Sequence, residues 1–583
     1  MTNAHKTIRT TAQFKQVKRL PLSIRGIDFP NKQTNNTKIK IIISLTSPQG
    51  FKGFAQRGRI KERIIFMETK TKRIFAAIIA FCMLTVILPM TVIAENPYEG
   101  SCGQNGGNLN WSYNETTKTL TISGTGNMSN YYSSSTAGGR APWVNSKIKD
   151  EIETVVISEG AESIGEYAFF ECTGLKNVTI PSTVKTINEG AFYKCSGLTS
   201  PQPEKSDDEI VDSITIPYGV TSIGDEVFAH CTGLKKVTIP GSVKSIGERA
   251  FSDCHISTEE SEDGTERGLE KVVIENGTET IGKEAFNGCK KLNDIILPDS
   301  VTSIGENAFL DCTGLISINV DDKNTVYDSR KSCNAIIETA TNTLIAGCKN
   351  TVIPDDVTNI GPYAFYRQGI TNIVIPKSVT SIGKSAFHGC HKLVSINISD
   401  KNTVYDSRNN CNAIIETATN TLITGCKNAT IPDNVTSIGV DAFYCCTDLT
   451  DIIIPDSVTS IGSRAFEDCR NLVNIIMGNN ITIIEDCTFR GCSKLTSITI
   501  PNSVAYIGAS AFNDCRGLKS ITIPNSVTHI GASAFSDCRN LENITIPESV
   551  TSIGDFAFWH CAGLKRIAIP NSLIDLGFEA IPF

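Results

Sequence analysis

The chain has 583 residues, with 54 Lys and Arg against 61 Asp and Glu and a formal net charge of −7. The basic residues are concentrated near the start, and residues 95–583 hold 37 Lys and Arg against 58 Asp and Glu, a net charge of −21. A surface this acidic argues against a nucleic acid partner, because phosphate binding needs a basic surface.

Residues 1–66 hold 14 Lys and Arg and only two acidic residues. Met67 then opens a short basic stretch, which is followed by an apolar run from Ile74 and by small residues up to Ala94. This order is typical of a secretory signal peptide, which we expect at residues 67–94. Since a signal peptide belongs at an N-terminus, we interpret residues 1–66 as a basic extension that is not translated.

A signal anchor is the alternative interpretation of the same segment. The 21 residues from Ile74 to Ala94 are long enough to span a bilayer, and the basic residues before them fit the positive-inside rule. In that case residues 1–66 are a cytoplasmic tail. Outside this segment we expect no membrane span.

Residues 95–150 contain two segments with alternating apolar and polar residues, Leu109–Tyr113 and Thr119–Ser123, on either side of a polar turn. Alternation with a period of two favours strands. We therefore expect an N-terminal β-hairpin that caps the first coil of the region that follows.

A unit of 23 residues recurs through residues 151–583, with the pattern I-P-x-x-V-x-x-I-G-x-x-A-F-x-x-C-x-x-L-x-x-I-x-I. The period is clearest in a ladder of cysteines at Cys446, Cys469, Cys492, Cys515, Cys538 and Cys561. A fixed period of this length predicts a leucine-rich-repeat solenoid, a right-handed coil of about 14 repeats with short parallel strands.

Each part of the unit has its own structural prediction. The Leu-x-x-Ile-x-Ile segment is expected to form a strand with one face inward, and the proline after it ends the strand. The Ile-Gly pair predicts a tight turn with the glycine at positive φ. The Ala-Phe-x-x-Cys segment predicts a short helical or 3₁₀ turn, and stacking of the coils buries their apolar faces.

This unit resembles the BspA-like leucine-rich repeat of bacterial surface proteins and of some parasitic protists. The resemblance covers about residues 155–577, and Cys102, Trp111 and Trp143 with their neighbours resemble the segment that precedes the repeats in such proteins. It implies an exported, non-enzymatic protein, secreted or at the bacterial cell surface. BspA-like proteins are associated with attachment to extracellular matrix and clotting proteins and with coaggregation.

Four insertions interrupt the period. Two of them, residues 199–212 and 255–268, are acidic, and we expect solvated loops without fixed structure there. The other two are near copies of each other, 78 residues apart, and they predict hairpin insertions at about residues 321–353 and 399–431.

In the first hairpin insertion, Ala335–Glu338 and Thr343–Ala346 form the strand pattern. Folding the segment about its midpoint pairs Ile336 with Ile345 and places the flanking cysteines opposite each other. In an exported protein this register predicts two cross-strand disulfides, Cys333–Cys348 and Cys411–Cys426. The alternative is four buried thiols that pack as small apolar groups.

For the ladder cysteines the sequence predicts free thiols instead of disulfides. A strict period places each of them at the same inward position, so we expect them to be buried and unpaired rather than bonded to each other. The sequence contains no C-x-x-C spacing, which argues against a zinc site.

Residues with the chemistry of catalysis are scarce. The histidines after residue 94 mostly fill variable positions of the repeat, and none belongs to an H-E-x-x-H motif. The densest cluster is His388-Gly389-Cys390-His391, in which we expect Cys390 to face inward and the histidines to face solvent. We therefore predict no catalytic residue, no cofactor and no metal site; a hydrolase with an unrecognised site is the weakest of the alternatives.

The outward residue between the two apolar positions of each strand offers a binding surface, with an apolar centre at Ile453 and Ile476. Strands favour β-branched residues in any case, so the composition of this row also has a purely structural explanation. Exposed isoleucines on a solenoid face are nevertheless suited to contact a partner. The candidate binding residues are Ile296, Val374, Ile453, Ile476, Thr499, Thr522 and Thr545.

These observations support two functional hypotheses. The first is an adhesin-like protein that attaches through the solenoid face to an extracellular protein or surface polymer, such as host matrix proteins or other cells. The second is a structural or carbohydrate-associated module of the cell envelope. With only three tryptophans, the sequence has few aromatic residues of the kind that stack on sugars.

Overall fold

The computed structural model describes residues 98–133, 139–145, 148–199, 214–261 and 264–581. All of them belong to one unit, Pro97–Phe583. The basic extension, the signal or anchor segment and most of the acidic insertion at 199–212 lie outside the described residues. Within the described part of the chain, no helix is long and apolar enough to cross a membrane.

Short strands dominate the described residues. The first nineteen are β1 (Glu99–Ser101), β2 (Asn110–Asn114), β3 (Thr119–Ser123), β4 (Gly126–Asn127), β5 (Thr154–Ile157), β6 (Ala161–Ile164), β7 (Asn177–Thr179), β8 (Thr186–Ile187), β9 (Ile214–Thr215), β10 (Ser222–Ile223), β11 (Lys236–Ile239), β12 (Ser245–Ile246), β13 (His255–Ile256), β14 (Arg267–Gly268), β15 (Lys271–Ile274), β16 (Thr280–Ile281), β17 (Asp294–Leu297), β18 (Ser303–Ile304) and β19 (Ser317–Val320).

The remaining strands include those of the two hairpins. They are β20 (Tyr327–Asp328), β21 (Ala335–Glu338), β22 (Thr343–Gly347), β23 (Asn359–Ile360), β24 (Asn372–Ile375), β25 (Ser381–Ile382), β26 (Ser395–Ile398), β27 (Tyr405–Asp406), β28 (Ala413–Glu416), β29 (Thr421–Gly425), β30 (Ser437–Ile438), β31 (Asp451–Ile453), β32 (Ser460–Ile461), β33 (Asn474–Ile476), β34 (Ile483–Ile484), β35 (Ser497–Thr499), β36 (Tyr506–Ile507), β37 (Ser520–Thr522), β38 (His529–Ile530), β39 (Asn543–Thr545), β40 (Ser552–Ile553) and β41 (Asp575–Leu576). The described residues also contain one short α-helix, α1 (Pro142–Asn145), and four 3₁₀ turns, at Gln104–Gly106, Lys149–Glu151, Arg330–Ser332 and Arg408–Asn410.

The N-terminal strands extend the stack of coils. Strands β2 and β3 pair antiparallel, and β3 then pairs in parallel with β5, which places Leu120 opposite Val155. The two strands expected from the alternation are present, although β2 begins one residue later than predicted. Trp143 of α1 joins this region to the repeats, because its buried indole donates to the carbonyl of Ala168 at 2.7 Å and stacks on Phe169.

The Leu-x-x-Ile-x-Ile segments form parallel strands as predicted, and we call them the strand ladder. Each residue pairs with its equivalent in the next coil, as Ile521 does with Ile544. Alternation sends Ile521 and Ile523 into the core and leaves Thr522 exposed between them. The strand ladder therefore has a buried face and a solvent face.

The Ile-Gly pairs form a second ladder of parallel strands, the Ile-Gly ladder, and not the tight turn that the sequence predicts. The glycines of these pairs, such as Gly531, do not have positive φ. They are needed because successive coils approach each other closely there. A Cβ on Gly531 would lie 2.5 Å from the backbone nitrogen of Ala509 in the preceding coil.

The Ala-Phe-x-x-Cys segments form a third set of contacts between coils, the Ala-Phe ladder. The prediction of a short helical or 3₁₀ turn is wrong here, because the segment is a run of hydrogen-bonded turns. Alternate N–H groups bond to the next coil instead of along a helix. The N–H of Phe228 donates to Ala250 at 2.7 Å, and that of Phe512 donates to Ala534 at 2.7 Å.

The phenylalanines of the Ala-Phe ladder stack on one another through the core. Phe535 and Phe558, for example, have ring centroids 5.4 Å apart and planes within 1°. Such stacks add to the free energy gained by burying the rings. Among the described residues the stack is absent between Phe309 and Phe365, where the first hairpin enters, and it is absent again at the second hairpin.

The ladder cysteines are buried and free. Their thiols are hydrogen-bond donors: Cys254 donates to the carbonyl of Phe228 at 3.0 Å, and Cys561 donates to that of Phe535 at 3.0 Å. Burial raises the pKa of the Cys561 thiol to about 12. The cysteine period therefore marks an S–H···O=C contact between successive coils.

The two hairpins dock on the preceding coil in the same way. In the first, the side-chain amide of Asn324 donates to the carbonyls of Pro298 and Val301, both at 2.9 Å, and the hydroxyl of Tyr327 accepts from the N–H of Ile304. The hairpin itself is β21 and β22, and β22 pairs in parallel with β23 of the following coil. The second hairpin repeats these contacts 78 residues later.

The predicted disulfides are not formed. A β-bulge between Ile336 and Ile337 shifts the register, so that Ile336 pairs with Ala346 and not with Ile345. All four hairpin cysteines are buried and free. Within each hairpin the two cysteines lie in different hydrophobic clusters. This holds for Cys333 and Cys348 in the first hairpin and for Cys411 and Cys426 in the second.

The acidic insertion at residues 255–268 is more regular than the sequence suggests. Its base is a two-stranded antiparallel ladder of β13 and β14, in which His255 lies opposite Gly268. The imidazole of His255 is 3.1 Å from the carboxylate of Glu266. The expectation of a loop without fixed structure is therefore wrong at its base.

Candidate binding surface

The outer face of the strand ladder carries two isoleucines side by side. Strands β31 and β33 pair in parallel with Ile453 directly opposite Ile476. These side chains are 63% and 61% exposed, while Ile452 and Ile475 beside them are buried. Since adjacent strands lie about 4.8 Å apart, the two exposed side chains form a continuous apolar surface, which we call the isoleucine pair.

Polar groups border the isoleucine pair. Two residues before each isoleucine, on the same face of the strands, the side-chain amide of Asn474 donates to the carboxylate of Asp451. Hydrogen bonds from the side chains of Thr450 and Asn474 lower the pKa of Asp451. The apolar surface therefore has a negatively charged, hydrogen-bonded edge, and this combination of an apolar centre and a polar rim is typical of protein interfaces.

The predicted threonines continue the same face toward the C-terminus. Strand β33 contacts β35, and Thr499, Thr522 and Thr545 lie opposite one another on β35, β37 and β39. All three side chains are exposed. These five predicted residues are therefore brought together, with apolar side chains at one end and hydroxyls at the other.

Ile296 and Val374 are exposed as predicted but lie on other sheets. Ile296 is opposite Asn319, and Val374 is opposite Asn397. A hairpin follows each of these strand pairs and ends its sheet. The seven predicted residues thus lie on four sheets and do not form one uninterrupted row.

The Ile-Gly ladder carries a second row of exposed side chains, which the sequence-based predictions do not include. Ile483, Tyr506 and His529 are opposite one another in successive coils, and all three are exposed. The signal was available, because the residue before the Ile-Gly pair is Ser or Thr in most units and differs in these three. The row is short, and its aromatic rings are 6.2 Å apart.

His388 is not exposed, contrary to the sequence-based expectation. Its ring lies between those of Tyr366 and Tyr444, with centroids 5.1 and 3.8 Å away, and its side chain is only 11% exposed. Tyr444 follows the second hairpin in the chain, so no pattern local to His388 predicts this cover.

The same place holds a buried carboxylate that links the coils on either side of the second hairpin. Oδ2 of Asp441 is 3.5 Å from Nδ1 of His388 and accepts from the hydroxyl of Ser385, while Oδ1 accepts from Nε of Arg464 at 2.8 Å. Burial acts to raise the pKa of Asp441, but His388 and Arg464 lower it by more. The ion pairs thus have a structural role in joining the two coils.

The described residues offer no arrangement for metal binding, since no three or more His, Cys, Asp or Glu side chains converge there. Burial raises the pKa of ladder thiols such as Cys172, to about 12, and so makes them poor nucleophiles. The exposed side chains of the strand ladder and the Ile-Gly ladder can make apolar contacts and hydrogen bonds.

Comparison with solved structures finds leucine-rich-repeat proteins of bacteria and a pneumococcal antigen. A leucine-rich repeat protein from Eubacterium ventriosum is 22% identical, with 83% of this chain and 94% of that chain covered and a TM-score of 0.38. A leucine rich cell surface protein from Faecalibacterium prausnitzii is 27% identical over 76% and 94% of the two chains, with a TM-score of 0.36. The pneumococcal vaccine antigen PcpA is 15% identical over 82% and 94%, with a TM-score of 0.35. A search of curated proteins found no match.

A family model described as the BspA type leucine rich repeat region matches the chain in six copies. The copies are at residues 147–212, 206–267, 263–343, 345–423, 419–539 and 506–581. Together they span well over half of the sequence and include every ladder and both hairpins. The chain therefore belongs to the BspA-type leucine-rich-repeat family.

Proposed function

We propose that this protein is a non-enzymatic, exported binding protein that attaches to an extracellular protein, on host matrix or on other cells, through the outer face of the strand ladder. The observation that carries the proposal is the isoleucine pair, because Ile453 and Ile476 are opposite each other and largely exposed. Family membership and the attachment role that the resemblance implies support the same function. The binding contribution of Ile296, Val374 and the three threonines is part of this proposal.

Surface plasmon resonance of the protein against immobilised fibronectin, fibrinogen and mucin tests it. We expect saturable binding to at least one of them. The double variant Ile453→Ser/Ile476→Ser should weaken that binding at least about tenfold, because burying each isoleucine contributes about 1.5–3 kcal/mol. The matched control is Ile483→Ser, an exposed isoleucine on the Ile-Gly ladder, which should leave the affinity unchanged.

Either of two results would oppose the proposal: no saturable binding to any of the three proteins, or equal affinities for the double variant and the wild-type protein. The carbohydrate-associated alternative is weakened, because fewer tryptophans are exposed for stacking on sugars than the sequence contains. Trp111 and Trp143 are buried, which leaves only Trp559 exposed among the three tryptophans. A glycan array that showed strong binding would favour that alternative.

A further inference from the structure

The Ala-Phe ladder has a regular hydrogen-bond pattern at each uninterrupted junction between coils. Three N–H groups, two residues apart, donate to three carbonyls of the next coil. Those of Glu284, Phe286 and Gly288, for example, donate at 2.8 to 2.9 Å to the carbonyls of the segment 306–310. A coil that has no neighbouring coil at this position therefore leaves three backbone N–H groups without a hydrogen-bond acceptor on one side.

The first hairpin creates such a position. It supplies strands beside the coil of residues 301–320 but no Ala-Phe segment of its own. Within the described part of the chain, the N–H groups of Asn307, Phe309 and Asp311 consequently have no hydrogen-bond partner. On the far side, the carbonyl of Ala364 accepts from the N–H of Gly347 of the hairpin.

A cleft of about 320 Å³ is lined by Asn307 and Phe309, two of the three donor residues, and we call it the hairpin cleft. This volume is at the lower end of the range for ligand sites in proteins. Its lining includes Ile304, Asn307, Phe309, Ile345, Ala346 and Gln368. The walls are mostly apolar.

One buried acceptor also lines the hairpin cleft. Gln368 is only 3% exposed, and its Nε2 donates to the carbonyl of Cys312, but its Oε1 has no hydrogen-bond partner among the described residues. A buried polar atom without a partner is costly, about 1–3 kcal/mol. The hairpin cleft thus combines two open donors with an open acceptor, and the third open donor, Asp311, directly follows the lining segment.

From this arrangement we infer that the hairpin cleft binds an extended peptide segment of a protein partner. The carbonyls of the segment, two residues apart, accept from Asn307, Phe309 and Asp311, and one of its N–H groups donates to Gln368. The uninterrupted junctions of the same chain show that a peptide backbone with these spacings satisfies such donors. A small apolar side chain at the centre, like that of Ala308 in the preceding junction, suits the apolar walls.

The charged groups near the hairpin cleft have no net charge. The carboxylate of Glu306 lines it, and that of Asp311 is on the segment that carries the donors. Arg367 and Lys290 both pair with Asp311, at 3.4 and 3.8 Å, so these two cations balance the carboxylates of Glu306 and Asp311. The hairpin cleft therefore offers no net positive charge to attract an anion.

Hydrogen exchange of the whole chain, resolved to single residues by mass spectrometry, tests the inference. In the free protein, the amides of Asn307, Phe309 and Asp311 should exchange at least about tenfold faster than those of Phe286 and Gly288, their matched controls. The probe is a blocked, uncharged peptide, acetyl-Gln-Asn-Ala-Phe-Leu-amide, at about 1 mM, where weak binding is measurable. The peptide should slow the exchange of the amides of Asn307, Phe309 and Asp311 severalfold and leave that of the control amides unchanged.

Variants at two positions distinguish the hairpin cleft from other sites. Ala346→Trp fills it and should abolish the effect of the peptide, and Ala346→Leu is a milder replacement if the tryptophan variant does not fold. Thr424→Trp is the control, because Thr424 lines the corresponding cleft at the second hairpin. Slow exchange of the control amides Phe286 and Gly288 in each variant reports that the coil stack is intact.

Several results would overturn the inference: equal exchange at interrupted and uninterrupted junctions, no change with the peptide, or an unchanged peptide effect in the folded Ala346 variant. Equal slowing by N-acetylglucosamine at the same concentration would also overturn it, since that result identifies a site for acetamido groups in general. The hairpin cleft is separate from the isoleucine pair, so this experiment can fail while the proposed function holds, and the reverse.

Discussion

Gln368 donates from its side-chain amide to the carbonyl of Cys312 at 3.3 Å, across the junction that the first hairpin interrupts. Gln368 occupies the position of a ladder cysteine. At an uninterrupted junction the thiol at this position reaches a carbonyl of the preceding coil, as Cys515 reaches Phe489 at 3.1 Å. Because the hairpin separates the coils, a longer side chain is needed to span the gap.

Replacing Gln368 should destabilise the protein at this junction. Gln368→Ala removes the hydrogen bond to Cys312 and leaves a cavity, so we expect the free energy of unfolding to fall by about 2–4 kcal/mol. Urea denaturation measures it. The same replacement at exposed Gln104 is the control and should cost less than about 0.5 kcal/mol. Equal effects of the two replacements would mean that Gln368 does not bridge the junction.

The glycines of the Ile-Gly ladder should not tolerate a methyl group. A Cβ on Gly531 would lie 2.5 Å from the backbone nitrogen of Ala509, so Gly531→Ala forces the coils apart and should cost about 1–3 kcal/mol. Gly369→Ala is the control, because its Cβ would meet only the side chain of Lys392, at 3.8 Å. Calorimetric melting temperatures compare the two variants, and a melting temperature of Gly531→Ala equal to that of Gly369→Ala contradicts the close-packing explanation.

The cysteines should remain reduced and unreactive in the native protein. Burial raises the pKa of the thiols of Cys333 and Cys348, and the pKa of Cys561 is raised to about 12. Little thiolate is then present near neutral pH, and iodoacetamide should label these thiols slowly until the protein is denatured. Labelling should accelerate as the pH rises toward 12. A non-reduced peptide that links Cys333 to Cys348 would contradict the free thiols.

Asp441 should contribute to stability except in acid. Its pKa is lowered in the folded protein, so its stabilising effect is complete above the pKa of the unfolded chain and disappears as the pH falls through the folded pKa. The difference in unfolding free energy between wild-type protein and Asp441→Asn should be constant above about pH 5 and shrink below about pH 4. Urea titrations at several pH values measure it, with exposed Asp433→Asn as the control. A difference that does not depend on pH would exclude ionisation as its cause.

The fold was predictable from the sequence because its information is periodic. The strand ladder follows from Leu-x-x-Ile-x-Ile alternation, and the burial of cysteines such as Cys515 follows from their fixed step. The roles of the glycine and of the Ala-Phe segment were not predictable in the same way. They depend on contacts between neighbouring coils, such as Gly531 against Ala509, and a local pattern contains no information on how closely two coils approach.

The candidate site was predictable only in part. Exposure of Ile453 and Ile476 follows from strand alternation, and the structure places them opposite each other. The division of the predicted row follows instead from how the hairpins dock. A β-bulge at Ile336 and the cover of His388 by Tyr444 both arise from segments brought together by folding, and neither has a local sequence signal.

Hydroxyl-radical footprinting of the protein bound to fibronectin, fibrinogen or mucin tests most directly whether the isoleucine pair is the contact surface. Binding should reduce oxidation of Ile453 and Ile476 severalfold, because their exposed side chains become covered. Ile574, which is 86% exposed, should remain as reactive as in the free protein. Unchanged oxidation of Ile453 and Ile476 in a saturated complex would contradict binding through this face.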